Sequence, residues 1–167
     1  MARPVRAPPE DLVMELVILI GLPASGKSSF VRARLALTHR HVSRDLLGPG
    51  RGRVGRQRAL IEEALAAGRP VVVDNVNATA AERAALIGLG RAHGARIVGY
   101  YFESAVQEAL ARNRQRVGTA RVPDVAIYAA AHRIEPPSPA EGFDALSRVR
   151  LGVAGGFEVT AWAEPPG

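Results

Sequence analysis

The sequence lacks cysteine, long apolar runs and all but one lysine. Without cysteine, disulfide scaffolds, thiol catalysis and cysteine-ligated metal sites are excluded. No apolar run is longer than the seven residues of 16–22, far fewer than the roughly 20 residues that a membrane-spanning helix needs. No long apolar stretch of a secretory signal follows Arg3 and Arg6. We therefore expect a protein of the cytoplasm that has no membrane partner.

The positive charge of the chain comes almost entirely from arginine. The 167 residues include 22 basic and 16 acidic ones, which gives a net charge of +6, and Lys27 is the single lysine. A GC-rich gene explains the arginine excess, but the same bias makes the remaining lysine a candidate functional residue. A net positive charge favours polyanionic partners such as nucleotides or nucleic acid.

Short apolar runs alternate with helical patterns along the chain. The expected strands are residues 16–20, 41–43, 71–73, 96–102 and 145–151. The expected helices are residues 28–37, 56–67, 79–93, 105–116 and 124–133. This alternation predicts an α/β fold in which a parallel five-stranded sheet carries helices on both faces. We expect residues 1–10 to form a flexible tail, residues 11–151 to form one domain, and residues 152–167 to form an edge strand or a loose tail.

A glycine-rich turn between the first strand and the first helix carries the most specific motif. Residues 21–28, GLPASGKS, fit the pattern G-x-x-x-x-G-K-[ST] of a phosphate-binding loop. Glycines let successive backbone N–H groups point at phosphate oxygens, Lys27 adds a point charge, and the Ser28 hydroxyl can bind Mg²⁺. The alternative is a structural turn without a ligand. The residues expected to contact ATP or another nucleoside triphosphate here are Gly21, Ala24, Ser25, Gly26, Lys27, Ser28 and Ser29.

Two carboxylates follow neighbouring strands of the predicted sheet. Asp45 comes after the second strand and Asp74 ends the third. Ligands bind beyond the carboxyl ends of strands in open parallel sheets, so both side chains are expected near the phosphate loop. Such a carboxylate can take a proton from an acceptor hydroxyl, orient a water molecule or hold Mg²⁺. The alternatives are a helix N-cap for Asp45 and a turn or cap for Asp74, which precedes Asn75.

Arginines form two groups along the chain. The first group surrounds the end of the fourth helix and suits a lid over the triphosphate; it comprises Arg112, Arg114, Arg116 and Arg121. The second group lies in or beside the glycine-rich loop 48–55 and suits phosphate contacts along nucleic acid; it comprises Arg44, Arg51, Arg53, Arg56 and Arg58. The alternative for both groups is a solvated basic surface.

The histidines do not form a metal site in the sequence pattern. His39 and His41 are close to each other, but no acidic or histidine partner lies at metal-ligand spacing. We therefore expect no functional role for them.

Taken together, these motifs resemble the kinase domain of polynucleotide 5′-hydroxyl kinases. The resemblance covers about residues 16 to 150 and rests on the phosphate loop, Val42-Ser43-Arg44-Asp45, Val73-Asp74-Asn75-Val76-Asn77 and the arginines at 112–116. The stretch from Val122 to Phe143 resembles the end of that domain in the animal end-healing enzymes. The resemblance implies a P-loop kinase fold with an arginine-bearing lid.

The resemblance also implies a reaction and roles for residues. Asp45 corresponds to the general base, Lys27 and Ser28 to the phosphate and Mg²⁺ contacts, and Asp74 to a second acidic position near the acceptor. Arg116, with Arg114, corresponds to lid arginines that contact the ATP phosphates. The residues expected at the acceptor are Arg44, Arg51, Arg53, Asp74 and Asn75. Gly48 stands where phage-type members have an arginine that contacts the acceptor phosphate, so other arginines would replace it.

The implied function is an ATP-dependent polynucleotide 5′-hydroxyl kinase, which transfers the γ-phosphate to a 5′-hydroxyl end of DNA or RNA in nucleic-acid repair. Phosphatase or ligase steps would come from partner proteins. Two alternatives stay open because a fold alone does not determine the acceptor. One is a small-molecule or tRNA-linked P-loop kinase, and the other is a nucleotide-binding ATPase module.

Overall fold

The computed structural model describes residues 13–48, 50–152 and 155–163. Its sheet contains β1 (Glu15–Gly21), β2 (Arg40–Val42), β3 (Val71–Asp74), β4 (Arg96–Phe102), β5 (Ala145–Leu151) and β6 (Phe157–Ala161). The strand order is β2-β3-β1-β4-β5-β6, and all pairs are parallel except β5 with β6. The predicted α/β fold with a parallel sheet is confirmed. The expected tail, residues 1–10, lies outside the described residues.

A sixth strand extends the five-stranded sheet of the prediction. β6 runs antiparallel to β5 at the edge, and most of its residues are exposed, so it carries no buried apolar pattern. Its first residue, Phe157, packs edge-on against Phe30 with ring centroids 5.3 Å apart. Hydrogen bonds to β5 and this aromatic contact hold the strand. Neither gives a periodic apolar pattern, so the sequence does not distinguish an edge strand from a loose tail in residues 152–167.

The central strand β1 is covered on both faces. Leu16, Ile18 and Ile20 pack towards the helices on one side, while Val17 and Leu19 pack against Phe30, Val31 and Leu35 on the other. All five residues of β1 named here have no exposed surface. A strand buried on both faces reads as a continuous apolar run, which is why residues 16–20 were predictable.

In the part of the chain that the structure describes, five α-helices surround the sheet. They are α1 (Lys27–Phe30), α2 (Arg53–Ala66), α3 (Ala80–Ala92), α4 (Val106–Gln115) and α5 (Asp124–Arg133). α1 widens into a π-helical turn at Val31–Leu35, and α2 begins three residues before its predicted start. Thr79 caps α3 by accepting from the Glu82 N–H, whereas the Glu82 carboxylate accepts from the Ala78 N–H. No helix among the described residues has the length and apolar content to cross a bilayer.

α4 and α5 form a small unit that lies over the phosphate loop. Ala109 and Leu110 of α4 and Ile127 and Ala130 of α5 enclose Leu22, which belongs to that loop. The buried Asn113 amide links the end of α4 to the next segment by bonding both the N–H and the carbonyl of Val122. The arginine-bearing helix end is therefore anchored beside the loop.

A buried arginine stabilises the segment that follows β3. The Arg83 guanidinium donates to the carbonyls of Asn77 and Ala78 at 2.9 and 3.0 Å. It also forms a bidentate ion pair with Glu141, at 2.8 and 3.2 Å. Asn77 itself adopts a left-handed backbone with φ 48° and donates to the carbonyls of Leu19 and Val73. These bonds fix the carboxyl end of β3 against β1.

Candidate phosphoryl-transfer site

The phosphate loop curls between β1 and α1 at the carboxyl edge of the sheet. Ala24 and Gly26 take left-handed backbone angles, with φ 62° and 100°. A Cβ at Gly21 would lie 2.9 Å from both Phe102 Cβ and Ser25 Oγ, so a side chain has no space there. The buried Ser25 Oγ has no hydrogen-bond partner among the described residues. The predicted loop conformation is therefore present, with its glycines where the backbone needs them.

Lys27 is buried inside this loop. Its Nζ donates to the carbonyl oxygens of Gly21 and Leu22 at 2.6 and 2.7 Å, and the residue is only 7% exposed. Burial lowers the pKa of Lys27 from 10.5 to about 8; the charges of Asp74 and Asp45 raise this pKa, and that of Arg116 lowers it. Asp45, Asp74 and Arg116 therefore all lie close enough to act on the same ammonium group.

Asp74 is the last residue of β3 and is bound directly to the phosphate loop. Its Oδ2 accepts hydrogen bonds from Ser28 Oγ and from His41 Nε2, each at 2.8 Å. Burial raises the pKa of Asp74, but these two bonds and the charge of Lys27 outweigh it and hold the pKa below its ordinary value. The carboxylate expected near the acceptor thus lies beside the expected Mg²⁺ ligand.

The sequence pattern does not predict the contact of His41 with Asp74, because no acidic residue lies at metal-ligand spacing from this histidine. The two residues are 33 positions apart, and the parallel pairing of β2 with β3 brings them together. His39 also has an acidic partner, since its Nε2 lies 2.7 Å from Glu15 Oε1. That pair is at the start of β1, at the end of the strand away from the phosphate loop.

Asp45 lies in a short 3₁₀ turn, Arg44–Leu47, immediately after β2. The N-cap of this turn is Ser43, whose Oγ accepts from the Asp45 N–H at 3.2 Å. The alternative that Asp45 is itself a helix cap is therefore wrong. The Asp45 side chain is exposed, and within the described residues no hydrogen bond to its carboxylate is found. A carboxylate in this state is available to an incoming hydroxyl group.

Asn75 holds this turn in position. Its Oδ1 accepts from the Arg44 N–H at 3.0 Å, and its Nδ2 donates to Gln57 Oε1 at 2.7 Å. Asn75 was expected at the acceptor, but these bonds engage both ends of its amide with the protein. Gln57 was not predicted, although a buried glutamine on an otherwise apolar helix face is a recognisable signal.

The lid arginines differ in their contacts. The Arg112 guanidinium donates to the Ala24 carbonyl of the phosphate loop at 3.2 Å and to Ser104 Oγ at 3.1 Å. Arg116 follows α4, donates to the Ala120 carbonyl, and lowers the pKa of Lys27 through its charge. Arg114 is exposed on α4, and its side chain has no hydrogen bond within the described part of the chain. The structure thus brings Arg112 and Arg116, but not Arg114, to the loop.

The second arginine group is also divided. Arg53 and Arg56 donate to the carbonyls of Gly48 and Leu47 at 2.9 and 3.3 Å, so they hold the loop that follows Asp45. Arg58 pairs with Glu62 on the surface of α2. For the side chains of Arg44 and Arg51, the described residues supply no hydrogen-bond or ion-pair partner.

The donor set at the loop suits Mg²⁺. The Ser28 hydroxyl and the Asp74 carboxylate are adjacent oxygen ligands, the type that Mg²⁺ prefers. Across the described ranges, no three histidine or acidic side chains converge as a metal cluster.

Comparison with known proteins identifies the fold. A family model described as an AAA domain matches residues 16–137. Kti12 from Chaetomium thermophilum, solved in complex with ADP-AlF3, is 18% identical with a TM-score of 0.62 and covers 83% of this chain and 92% of that one. A gluconokinase from Sinorhizobium meliloti 1021 is 21% identical with a TM-score of 0.59, over 81% of this chain and 82% of that one. A fungal RNA kinase is 16% identical with a TM-score of 0.63, over 83% of this chain but 38% of that one.

These likenesses confirm the predicted P-loop kinase fold. The acceptor differs between the gluconokinase and the RNA kinase, although both share the fold. The acceptor of this chain therefore has to be inferred from its own residues.

Proposed function

The chain belongs to the AAA domain family and has the P-loop kinase fold, and from this premise we propose that it is an ATP-dependent polynucleotide 5′-hydroxyl kinase. The observation that carries the proposal is the Asp45 carboxylate. It is exposed, its charge reaches Lys27 in the phosphate loop, and Ser43 takes the capping role that would otherwise explain it. A carboxylate in this place is suited to accept the proton of an acceptor hydroxyl.

Basic side chains next to Asp45 favour a polynucleotide acceptor. Arg44 precedes it, and Arg51 lies on the loop that Arg53 and Arg56 hold beside the turn. The side chains of Arg44 and Arg51 have no partner among the described residues, and such arginines are suited to backbone phosphates, which carry no sequence information but position the strand. The motifs at 42–45 and 73–77 resemble those of polynucleotide kinases, and the RNA kinase shares the fold.

The mechanism follows from the positions of these groups. The triphosphate lies in the phosphate loop, where Lys27 and the backbone N–H groups neutralise its charge. Ser28 and Asp74 would hold Mg²⁺, which supplies charge neutralisation on the phosphates when bound. The oxygen of the 5′-hydroxyl attacks the γ-phosphorus, and Asp45 takes the proton that this hydroxyl loses. The bond to the β–γ bridging oxygen breaks and ADP leaves, while Arg112 and Arg116 neutralise developing charge.

The proposal is tested by following the γ-phosphate of labelled ATP. The purified protein is incubated with Mg²⁺ and either a 5′-hydroxyl or a 5′-phosphate oligonucleotide, as DNA and as RNA. We expect label on the 5′-hydroxyl oligonucleotide and none on its 5′-phosphate control. Parallel reactions contain gluconate or a nucleoside as acceptor. Label found only on a small acceptor, or only as inorganic phosphate, would contradict the proposal and favour a small-molecule kinase or an ATPase module.

A further inference from the structure

His41 makes a contact that the proposed mechanism does not use. It lies on β2, where the parallel register places it opposite Val72 of β3. Its Nε2 lies 2.8 Å from Asp74 Oδ2, and its side chain is 27% exposed whereas that of Asp74 is 5% exposed. Since Asp74 is ionised at neutral pH, the nitrogen at this distance is the donor, which assigns the proton to Nε2.

Both donors to Asp74 bind the same oxygen atom. Ser28 Oγ and His41 Nε2 each lie 2.8 Å from Oδ2. The torsion that rotates a carboxylate is broad, so packing alone fixes its orientation poorly. A hydroxyl group also rotates, whereas the ring N–H of a histidine has a fixed direction. Of the two donors, His41 is therefore the one that can define how the carboxylate faces the phosphate loop.

We propose that His41 is a positioning residue, whose Nε2–H holds the Asp74 carboxylate in the orientation in which Asp74 and Ser28 bind Mg²⁺ with the nucleotide. Residues that orient a metal ligand in this way typically contribute about 10- to 100-fold to metal affinity. The inference rests on the metal and nucleotide site of the proposed function. It does not depend on the acceptor, so it holds even if the protein does not transfer phosphate to a polynucleotide.

The test measures metal binding rather than turnover. Mn²⁺ serves as the probe and is titrated into the protein with a non-hydrolysable ATP analogue, and free Mn²⁺ is followed by electron paramagnetic resonance. We expect His41→Leu to weaken Mn²⁺ binding by about 10- to 100-fold. Affinity for the analogue in the presence of EDTA should change little. We expect His41→Gln to bind Mn²⁺ nearly as well as the wild type, because its amide N–H can replace Nε2–H.

The chain supplies a matched control in His39, which pairs with Glu15 at 2.7 Å away from the phosphate loop. His39→Leu removes a histidine–carboxylate pair of the same kind and should leave Mn²⁺ affinity unchanged. Wild-type Mn²⁺ affinity in His41→Leu, or an equal loss in His39→Leu, would overturn the proposal. If His41→Leu does not fold, His41→Asn takes its place, because its amide is too short to reach Asp74. Equal Mn²⁺ affinities of the Asn and Gln variants would then overturn it.

Discussion

Because Lys27 is buried, the free energy of unfolding of the protein should change with pH in the alkaline range. In the folded protein its pKa is lowered from 10.5 to about 8, chiefly because the ammonium group is removed from water. Between these two values the unfolded chain keeps the proton that the folded protein has lost. The unfolded state then binds more protons, so the free energy of unfolding rises with pH in this window. One pKa unit corresponds to about 1.4 kcal/mol, so the full rise is roughly 3 kcal/mol.

Lys27→Met isolates this contribution, because it keeps the length of the side chain and removes its titration. Urea unfolding of both proteins is followed through the fluorescence of Trp162, the only tryptophan, which lies against Tyr101 with ring centroids 5.8 Å apart. We expect the stability of the wild type relative to Lys27→Met to be constant below pH 8 and to increase by roughly 3 kcal/mol towards pH 10.5. Other titrating groups cancel in the comparison. A difference that does not change with pH would refute the assignment of a buried, charged lysine.

Two further predictions concern arginines. Arg51→Ala should weaken binding of single-stranded oligonucleotides and reduce the slope of log K against log salt by about 0.7. Arg58→Ala is the control, because it loses only the surface pair with Glu62 and should leave the slope unchanged. Equal slopes in the wild type and Arg51→Ala would show that Arg51 is merely solvated. Arg83→Met should lower the free energy of unfolding by about 3–5 kcal/mol because it removes the buried partner of the Glu141 carboxylate and the donor to the Asn77 carbonyl. The exposed pair of Arg91 with Asp144 is the control, and Arg91→Ala should lower the free energy of unfolding by less than about 1 kcal/mol. Both variants are measured by urea unfolding. Similar losses of stability in the two would contradict the structural role of Arg83.

Much of the fold could be predicted because its central elements have strong local signals. β4 and β5 have their predicted bounds, and β1 follows the continuous apolar run that burial on both faces requires. The phosphate loop was predictable because its backbone needs glycine at Gly21 and Gly26. The sequence does not distinguish an edge strand from a loose tail at β6, because hydrogen bonds to β5 and the contact of Phe157 with Phe30 hold this strand rather than a buried apolar face.

The contacts within the site were harder to predict. Asp45 and Asp74 could be placed at strand ends, but the sequence could not show which residues pair with them. His41 meets Asp74, and Asn75 meets Gln57, only because parallel strands and α2 bring distant positions together. Spacing along the chain carries no signal of such pairings, so the partners of His41 and Gln57 emerge only from the structure, although the apolar face of α2 marks Gln57 itself.

The most direct test of the account compares the wild type with Asp45→Asn in transfer of the γ-phosphate to a 5′-hydroxyl oligonucleotide at saturating ATP and Mg²⁺. Because Ser43 caps the turn, the substitution changes the ionisable carboxylate without removing a cap. We predict that transfer falls by at least about 100-fold, while ATP affinity changes by no more than a few-fold. Transfer by Asp45→Asn at nearly the wild-type rate would contradict the account, since it would remove the proposed general base from the reaction.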